Sequence, residues 1–293
     1  MLTASSICYT FAGLHGLDLA MEHISFLTIL LSLGLGIAVA FAAYRLGSLS
    51  RSGALAAVFV GGSIFALTGW KGSIALLAFF VTGSLMTRIP TKRKLEQIED
   101  KAGRRWDQVL ANGIIPVLSC YALLHDAIAP FASYAFMGAL ATATADTWAT
   151  EIGSRYANKV YDPLNLRTFQ MGRSGGISTP GLLASLAGAL FIGLIAMPRM
   201  KDNYLTLEIV GLTFVVITLA GFIGAYLDSI LGRMMQAMFT CNECNETVEV
   251  RQHCGRATTH IRGIRIVDNS AVNLLATLGG SLIAGTLASL WII

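Results

Sequence analysis

The sequence predicts an all-α, polytopic integral membrane bundle of about eight transmembrane helices, and three observations support this fold class. The first is composition: of 293 residues, 54% are hydrophobic and 13% are charged, and the mean hydropathy is +0.64. One soluble core could not bury so much apolar side chain. The second is that long apolar stretches alternate with short charged segments, as crossings of a bilayer about 30 Å thick require. The third is an uneven distribution of basic residues between alternate loops.

The apolar stretches predict helices at 24–44, 53–69, 72–87, 108–124, 131–150, 181–197, 209–231 and 271–292. The second and third are short, and the turn Thr68-Gly69-Trp70-Lys71-Gly72 separates them. The chain therefore divides into an N-terminal extension at 1–23 and a single transmembrane domain at 24–293. The extension is either an interfacial segment or a stretch upstream of a true start at Met21.

The orientation follows from the Lys and Arg residues, of which eighteen out of 21 fall in one set of alternate loops. Because positively charged loops stay in the cytoplasm, we expect cytoplasmic loops at about 88–107, 151–180 and 233–268, and both termini outside. In a prokaryote the membrane would be the cell membrane. The net charge of +4 then reflects topology. No nucleic-acid-binding motif is present, so nucleic acid is not an expected partner.

The last four predicted helices suggest a tandem repeat of helices 5–6 and 7–8. Leu182-Leu183-Ala184-Ser185-Leu186-Ala187-Gly188 recurs as Leu274-Leu275-Ala276-Thr277-Leu278-Gly279-Gly280. The alternative is chance recurrence of the small residues that favour close packing of membrane helices.

Ionisable residues inside membrane helices are costly, and each is therefore a functional hypothesis. Asp146 and Asp228 lie about one turn before the cytoplasmic ends of predicted helices five and seven, and Glu151 follows the first. The helix macrodipole disfavours an anion there. A compensating cation is expected, and two alternatives stay open: pairing with Arg155 or Arg233, and a bound metal.

The opposite helix ends carry basic and glycine-rich segments. Ser178 or Thr179 suits a helix N-cap, and Pro180 suits the first helical position. A glycine-rich approach to a helix N-terminus presents free N–H groups and favours phosphate. Candidate phosphate- or nucleotide-binding residues are Arg104, Arg105, Arg173, Gly175, Gly176, Ser178 and Thr179. The alternatives are that the arginines are topology signals or headgroup anchors, and that the glycines form an ordinary loop break.

One pocket with carboxylates, arginines and glycine-rich helix starts suits metal-assisted phosphoryl transfer. Asp146, Glu151 and Asp228 are the predicted Mg²⁺ ligands. Asp107 and Asn112, in the first turns of predicted helix four, complete the candidate catalytic set. No Gly-x-x-x-x-Gly-Lys run is present, so a soluble-kinase nucleotide site is not indicated.

The last predicted cytoplasmic loop holds Cys241-x2-Cys244, followed by His253 and Cys254. Such spacing predicts either a structural Zn²⁺ site or a loop of reduced thiols.

Four runs carry a family resemblance: Gly-Arg-Arg-Trp-Asp-Gln-Val-Leu-Ala-Asn-Gly at 103–113, Ala-Asp-Thr-Trp-Ala-Thr-Glu-Ile-Gly at 145–153, Gly-Gly-Ile-Ser-Thr at 175–179, and Leu-Asp-Ser-Ile-Leu-Gly at 227–232. Through them the chain, from about Leu27 onward, resembles the domain of unknown function 92 family. Its plant members are phytyl-phosphate kinases, and its animal relative is transmembrane protein 19.

The resemblance implies transfer of phosphate from a nucleoside triphosphate, CTP preferred, to an isoprenoid monophosphate such as phytyl phosphate. The expected partners are these two substrates and membrane lipid. We expect the small-residue grooves of predicted helices six and eight to take the lipid tail. The alternative is a transporter or flippase for a phosphorylated lipid, which would use the same pocket without bond-making. The intramembrane acids disfavour a purely structural scaffold.

Overall fold

A computed structural model gives the fold and describes residues 26–88, 103–171, 173–197 and 206–292. The predicted N-terminal extension at 1–23 lies outside these ranges. Seven helices occur within them, which confirms the helical membrane fold class. Five are long and apolar enough to cross a membrane, namely α1, α2, α5, α6 and α7. The bounds are α1 Phe26–Arg45, α2 Arg51–Arg88, α3 Trp106–Ala122, α4 Ala129–Tyr156, α5 Thr179–Ala196, α6 Leu207–Met234 and α7 Asn269–Trp291.

Helix α2 contains both the second and third predicted helices and is broken at Gly69, inside the predicted turn. Gly69 has φ 57° and ψ −148°, a conformation that only glycine adopts readily. A straight helix of 38 residues would be about 57 Å long. However, Gly53 near one end packs against the Arg104 backbone and Gly83 near the other packs against the Arg104 side chain. The chain therefore reverses at Gly69, and α2 is a helical hairpin.

Helix α4 lies at the centre of the bundle, in contact with α2, α3, α5, α6 and α7. All residues from Ala132 to Ala145 are buried. Because protein rather than lipid surrounds this helix, it is rich in alanine and threonine. It is not among the five apolar spans, nor is α3, which has 17 residues. The count of eight crossings and the tandem repeat therefore stay predictions.

Small residues let the neighbouring helices approach α4 closely. A Cβ atom on Gly280 of α7 would lie 1.9 Å from Thr142 Oγ1, and one on Gly224 of α6 would lie 2.2 Å from it. Gly188 of α5 packs against the backbone of Ala145. The predicted grooves on α5 and α7 are thus filled by α4. The prediction that they take a lipid tail is wrong.

The loops at 157–178 and 235–268 lie at one end of the bundle, which we call the loop face. The first contains a hairpin of β1 (Val160–Tyr161) and β2 (Thr168–Phe169). The second contains a three-stranded antiparallel sheet in the order β4-β3-β7 and a further hairpin of β5 and β6. Their bounds are β3 Met238–Thr240, β4 Thr247–Val248, β5 Gln252–His253, β6 Arg256–Ala257 and β7 Thr259–Arg262.

Candidate functional site

The structure brings Asp146 of α4 and Asp228 of α6 together near the loop face. Gly224 of α6 packs against Thr142 of α4, and each acid follows its contact residue by one helical turn, so the two acids lie on facing parts of contacting helices. With its amide oriented to donate, Asn273 of α7 makes a 3.1 Å hydrogen bond to Asp228 Oδ2. Protein surrounds both carboxylates, yet both side chains remain partly exposed. We call the site that these two acids form between α4, α6 and α7 the carboxylate cleft.

The alternative that these two acids pair with Arg155 and Arg233 is wrong. Arg155 Nη2 lies 3.4 Å from Glu151 Oε2, and Arg233 Nε lies 2.7 Å from Asp162 Oδ2. Among the described residues, Asp146 and Asp228 form no ion pair. Acids inside a membrane bundle are costly, and a positively charged ligand would offset that cost.

Glu151 lies apart from this cleft, on the side of α4 that faces α2. Five residues along a helix correspond to a rotation of about 140° from Asp146. Glu151 accepts a 2.8 Å hydrogen bond from Thr87 Oγ1 of α2, in addition to its pairing with Arg155. In the described part of the chain, Asp146, Glu151 and Asp228 do not form a group able to share one ion. The predicted three-carboxylate arrangement is therefore absent, and Glu151 connects helices.

Arg104 occupies the space between α2 and α4. Its guanidinium meets Gly83 of α2 beside the side chain of Thr147, the residue that follows Asp146, and lies 5.7 Å from the Phe79 ring centroid. It is also attracted electrostatically to Glu151. A predicted phosphate-binding arginine is thus held inside the bundle, on the side of α4 that faces α2.

A cavity of about 360 Å³ extends from Arg104 between α1, both arms of α2, and α3. Its wall is predominantly apolar and includes Trp70, which follows the α2 turn at the end of the cavity remote from the loop face. Polar side chains lie at the loop-face end: Arg104, Gln108 and Asn112. Size and lining suit an elongated ligand with one polar end. We call this space the α1–α3 cavity.

The other residues predicted around the start of α3 contact one another or α7. Arg105 makes two hydrogen bonds to Asp107, of 3.0 and 2.9 Å, and Ser270 Oγ of α7 donates to Asp107 Oδ2 at 3.2 Å. Asn112 donates to the backbone oxygen of Gln108. Asp107 therefore joins the first turns of α3 and α7, whereas Asn112 faces the cavity.

The glycine-rich loop before α5 has a packing role. Gly175 has φ +83°, and a Cβ there would lie 2.2 Å from the backbone nitrogen of Arg233. A Cβ on Gly176 would lie 2.4 Å from Val160. Ser178 is the N-cap of α5, accepting a 3.2 Å hydrogen bond from Gly181 N, whereas Thr179 is exposed. Close packing thus explains both glycines without a phosphate.

Three arginines meet beside this loop: Arg173, Arg233 and Arg262. Burial, and then the charges of Arg233 and Arg173, lower the pKa of Arg262. The backbone N–H of Leu164 and the side chain of Arg233 lower the pKa of Asp162. Nε of Arg173 and Nε of Arg262 are buried and have no hydrogen-bond partner among the residues that the structure describes. We call these three residues the arginine cluster. The cluster lies near Asp228, because Gly175 in the adjacent loop contacts Ser229, the residue that follows Asp228. Three neighbouring positive charges suit an anionic ligand.

Sequence reasoning missed Arg262 and Glu249, which both come from the loop at 235–268. Glu249 acts electrostatically on Asp228, although no helical pattern marks it. Arg262 lies on β7, and in the sequence it is only one of the basic residues that assign this loop to the cytoplasmic side. The position of these side chains depends on how the small sheet folds back onto the bundle.

The predicted zinc ligands do come together. Cys241, Cys244, His253 and Cys254 have ligand atoms within 4.8 Å of one another. Backbone N–H groups of Cys244 and Glu243 approach the Cys241 sulfur and lower the pKa of its thiol to about 6. This group lies in the loop at 235–268, away from the residues that line the carboxylate cleft.

Fold and site define a multi-pass membrane protein with two acids between α4 and α6 and an apolar cavity between α1, α2 and α3. The chain belongs to the family described as integral membrane protein DUF92, whose model matches residues 34–281. It is 29% identical over 274 residues to Protein PGR of Arabidopsis thaliana, covering 87% of this chain and 93% of that protein. An uncharacterized membrane protein of Methanocaldococcus jannaschii is 28% identical over 80% of this chain and 84% of its own length.

A further relative is Protein VTE6, chloroplastic, of Arabidopsis thaliana. It is 28% identical over 151 residues, which are 49% of this chain and 45% of that protein. No solved structure matches the chain.

Proposed function

We propose that this protein is a membrane-embedded kinase that transfers phosphate from a nucleoside triphosphate, such as CTP, to an isoprenoid monophosphate, such as phytyl phosphate. The observation that carries the proposal is the position of Arg104. This residue lines the polar end of the α1–α3 cavity and also contacts α2 beside Thr147, next to Asp146. Arg104 thus places a cation at the polar end of a space suited to a lipid tail, and a phosphate held there would extend along Thr147 toward the carboxylate cleft. The family resemblance supports the same activity.

The lipid substrate would lie with its tail in the α1–α3 cavity and its phosphate at Arg104. Burial of a hydrocarbon chain contributes about 0.8 kcal/mol per CH₂ group. Gln108 and Asn112 supply further polar groups at the same end. In this proposal the phosphate extends from Arg104 past Thr147 toward the carboxylate cleft.

The nucleotide would bind on the loop-face side, with its phosphates near Arg173 and Arg262. Both carry buried guanidinium N–H groups without a partner in the described residues. The carboxylates of Asp146 and Asp228 fit Mg²⁺, which is usually held by one or two carboxylates plus substrate phosphates. When bound, the ion would neutralise charge that develops on the phosphate oxygens.

In the reaction, an oxygen of the lipid phosphate attacks the γ-phosphorus of the nucleotide. A new P–O bond forms, the bond between the γ-phosphorus and the β–γ bridging oxygen breaks, and the nucleoside diphosphate leaves with the bond electrons. Arg104 would hold the attacking phosphate in place, and the arginine cluster would stabilise the leaving group. A phosphate monoester dianion needs no general base, so Asp146 and Asp228 are assigned to charge and positioning.

The direct test is purified protein in detergent with labelled CTP, Mg²⁺ and phytyl, geranylgeranyl or farnesyl monophosphate. We expect a labelled lipid diphosphate. The alternative function, a transporter or flippase, would use the same cavity and cleft without transfer, and it needs two compartments. Absence of any diphosphate, together with movement of the lipid phosphate across vesicles, would favour the transporter.

The proposal also requires the loop face to be cytoplasmic, where nucleotide is available. In a Cys8→Ser background, we expect Asp126→Cys to react with an impermeant thiol reagent in intact cells. Gln252→Cys should react only after permeabilisation. Labelling of Gln252→Cys from outside would place the site on the wrong side for cytoplasmic nucleotide.

A further inference from the structure

The loop at 235–268 brings four side chains with metal-binding chemistry to one point. The ligand atoms of Cys241, Cys244, His253 and Cys254 all lie within 4.8 Å of one another. His253 Nδ1 is 3.4 Å from Cys244 Sγ and 3.4 Å from Cys254 Sγ.

These separations agree with the edges of a zinc tetrahedron. Zn–S bonds of about 2.3 Å and Zn–N bonds of about 2.0 Å give an N–S edge of about 3.5 Å. Three sulfurs and one imidazole form a common ligand set for structural zinc, because thiolate ligands select soft or borderline ions. A disulfide would leave the third cysteine unpaired, whereas one zinc ion uses all four side chains.

Apart from strand pairing and surface contacts, the described part of this loop has no hydrophobic core of its own. No residue from Asn242 to Arg262 is buried, although the segment contains the strands β4, β5, β6 and β7. Small ordered units without a hydrophobic core generally need disulfides or a structural metal. The backbone turns tightly at both ligand pairs. Asn245 N donates to Cys241 O at 3.0 Å, and Cys254 itself has φ +52°, a conformation that a residue with a side chain rarely adopts.

The sheet beside this group reaches the proposed phosphate site. Strand β7 pairs with β3 directly before Cys241, and Arg262 ends β7. Arg262 Nη2 donates to Ser174 O at 3.2 Å and to Gly232 O at 3.3 Å. Arg262 thus joins the glycine-rich loop to the end of α6, four residues after Asp228.

We propose that Cys241, Cys244, His253 and Cys254 bind one structural zinc ion, which fixes the sheet that carries Arg262 to the loop face. This inference does not depend on the proposed kinase activity. It predicts that the metal stabilises the loop rather than taking part in phosphate transfer.

Metal content tests the site directly. Protein purified under reducing conditions without a histidine tag should contain about one zinc per chain by mass spectrometry. Replacement of zinc by Co²⁺ should give the thiolate charge-transfer absorption and visible bands of a tetrahedral site. Cys244→Ser should lose the metal, whereas Gln252→Ser, a change of an exposed neighbour, should retain it.

Limited proteolysis separates the structural role from simple binding. In Cys244→Ser, cleavage within 242–260 should become at least tenfold faster, while the helices α4 to α7 remain resistant. Absence of stoichiometric zinc from the wild type, a different ion at that stoichiometry, or unchanged cleavage in the zinc-free variant would each overturn the inference. Kinase activity is not a readout here, so failure of the proposed function would leave this result unaffected.

Discussion

The two sides of α4 differ in how closely their neighbours approach. On one side, α5, α6 and α7 contact it through glycine, so that Gly280 leaves no room for even one added carbon beside Thr142. On the other side, α1, the α2 hairpin and α3 enclose a cavity of about 360 Å³. On the first side, the glycines therefore mark close contacts between helices.

The acidic residues of α4 also differ between these two sides of the helix. Asp146 faces the closely packed side and has no ion pair among the described residues, whereas Glu151 faces α2 and is paired with Arg155. Rigid helices can hold two repelling carboxylates at a fixed separation, which a metal-binding site requires. The ion-paired side instead holds α2, and with it the cavity, against α4.

The largest expected effect is on catalysis, at the unpaired acids. Asp146→Asn or Asp228→Asn removes a charged metal ligand whose contribution to the transition state is several kcal/mol. Since each 1.36 kcal/mol is tenfold in rate, CTP turnover should fall by roughly a hundredfold or more. The melting temperature should hold or rise slightly, because one of two neighbouring acids inside the bundle is replaced by a neutral amide.

Glu151→Gln is the matched control for that prediction, because it neutralises an acid on the same helix. It breaks the pairing with Arg155, whose side chain is 6% exposed, so we expect the melting temperature to fall by several degrees. Activity measured below the melting transition should fall much less than in Asp228→Asn. If the aspartate variants instead melt early and retain most of their turnover, Asp146 and Asp228 are structural.

A smaller effect is expected from filling the α1–α3 cavity. Gly61 lines it, and no atom lies within 4 Å of a Cβ placed there, so Gly61→Leu adds a side chain without a clash at the first carbon. We expect KM for phytyl phosphate to rise about tenfold, equivalent to about 1.4 kcal/mol. KM for CTP and for a short-chain isoprenoid phosphate should change little.

Gly34→Leu controls for the added leucine. Gly34 also has open space around its Cβ position, but it does not line the cavity. This variant should behave as the wild type. Equal effects of the two substitutions, or an equal loss for long and short substrates in Gly61→Leu, would show that the tail binds elsewhere.

Much of the site could be predicted from the sequence because it depends on local chemistry. Asp146 and Asp228 stand out as acids in apolar helices, Ser178 as an N-cap, and Cys241 and Cys244 by their spacing. The α2 turn was visible because Gly69 lies among polar and glycine residues.

The remainder depends on how the elements pack. The spacing of Asp146 and Glu151 predicts that they lie on different sides of one helix. It does not predict that these sides face α6 and α2. The α1–α3 cavity is a space between three elements, and no single segment encodes it. The small residues of α5 and α7 suggested an open groove, but they equally permit close contact, and the burial of α4 determines which occurs.

The smallest effect should be seen at the contact between α4 and α7. Gly280→Ala places a carbon 1.9 Å from Thr142 Oγ1, and such overpacking typically costs about 1–3 kcal/mol. We therefore expect the melting temperature in detergent to fall by a few degrees. The neighbouring Gly279→Ala is the control, because its added carbon meets only Leu227 Cδ1, at 3.1 Å, the end of a flexible side chain. It should be neutral or slightly stabilising, since alanine favours helix over glycine.

Adding Thr142→Ala to Gly280→Ala removes the atom involved in the clash, so the double variant should melt higher than the sum of the two single changes predicts. Additive changes would mean that α4 and α7 are not in close contact at Gly280, and that the groove on α7 is open after all.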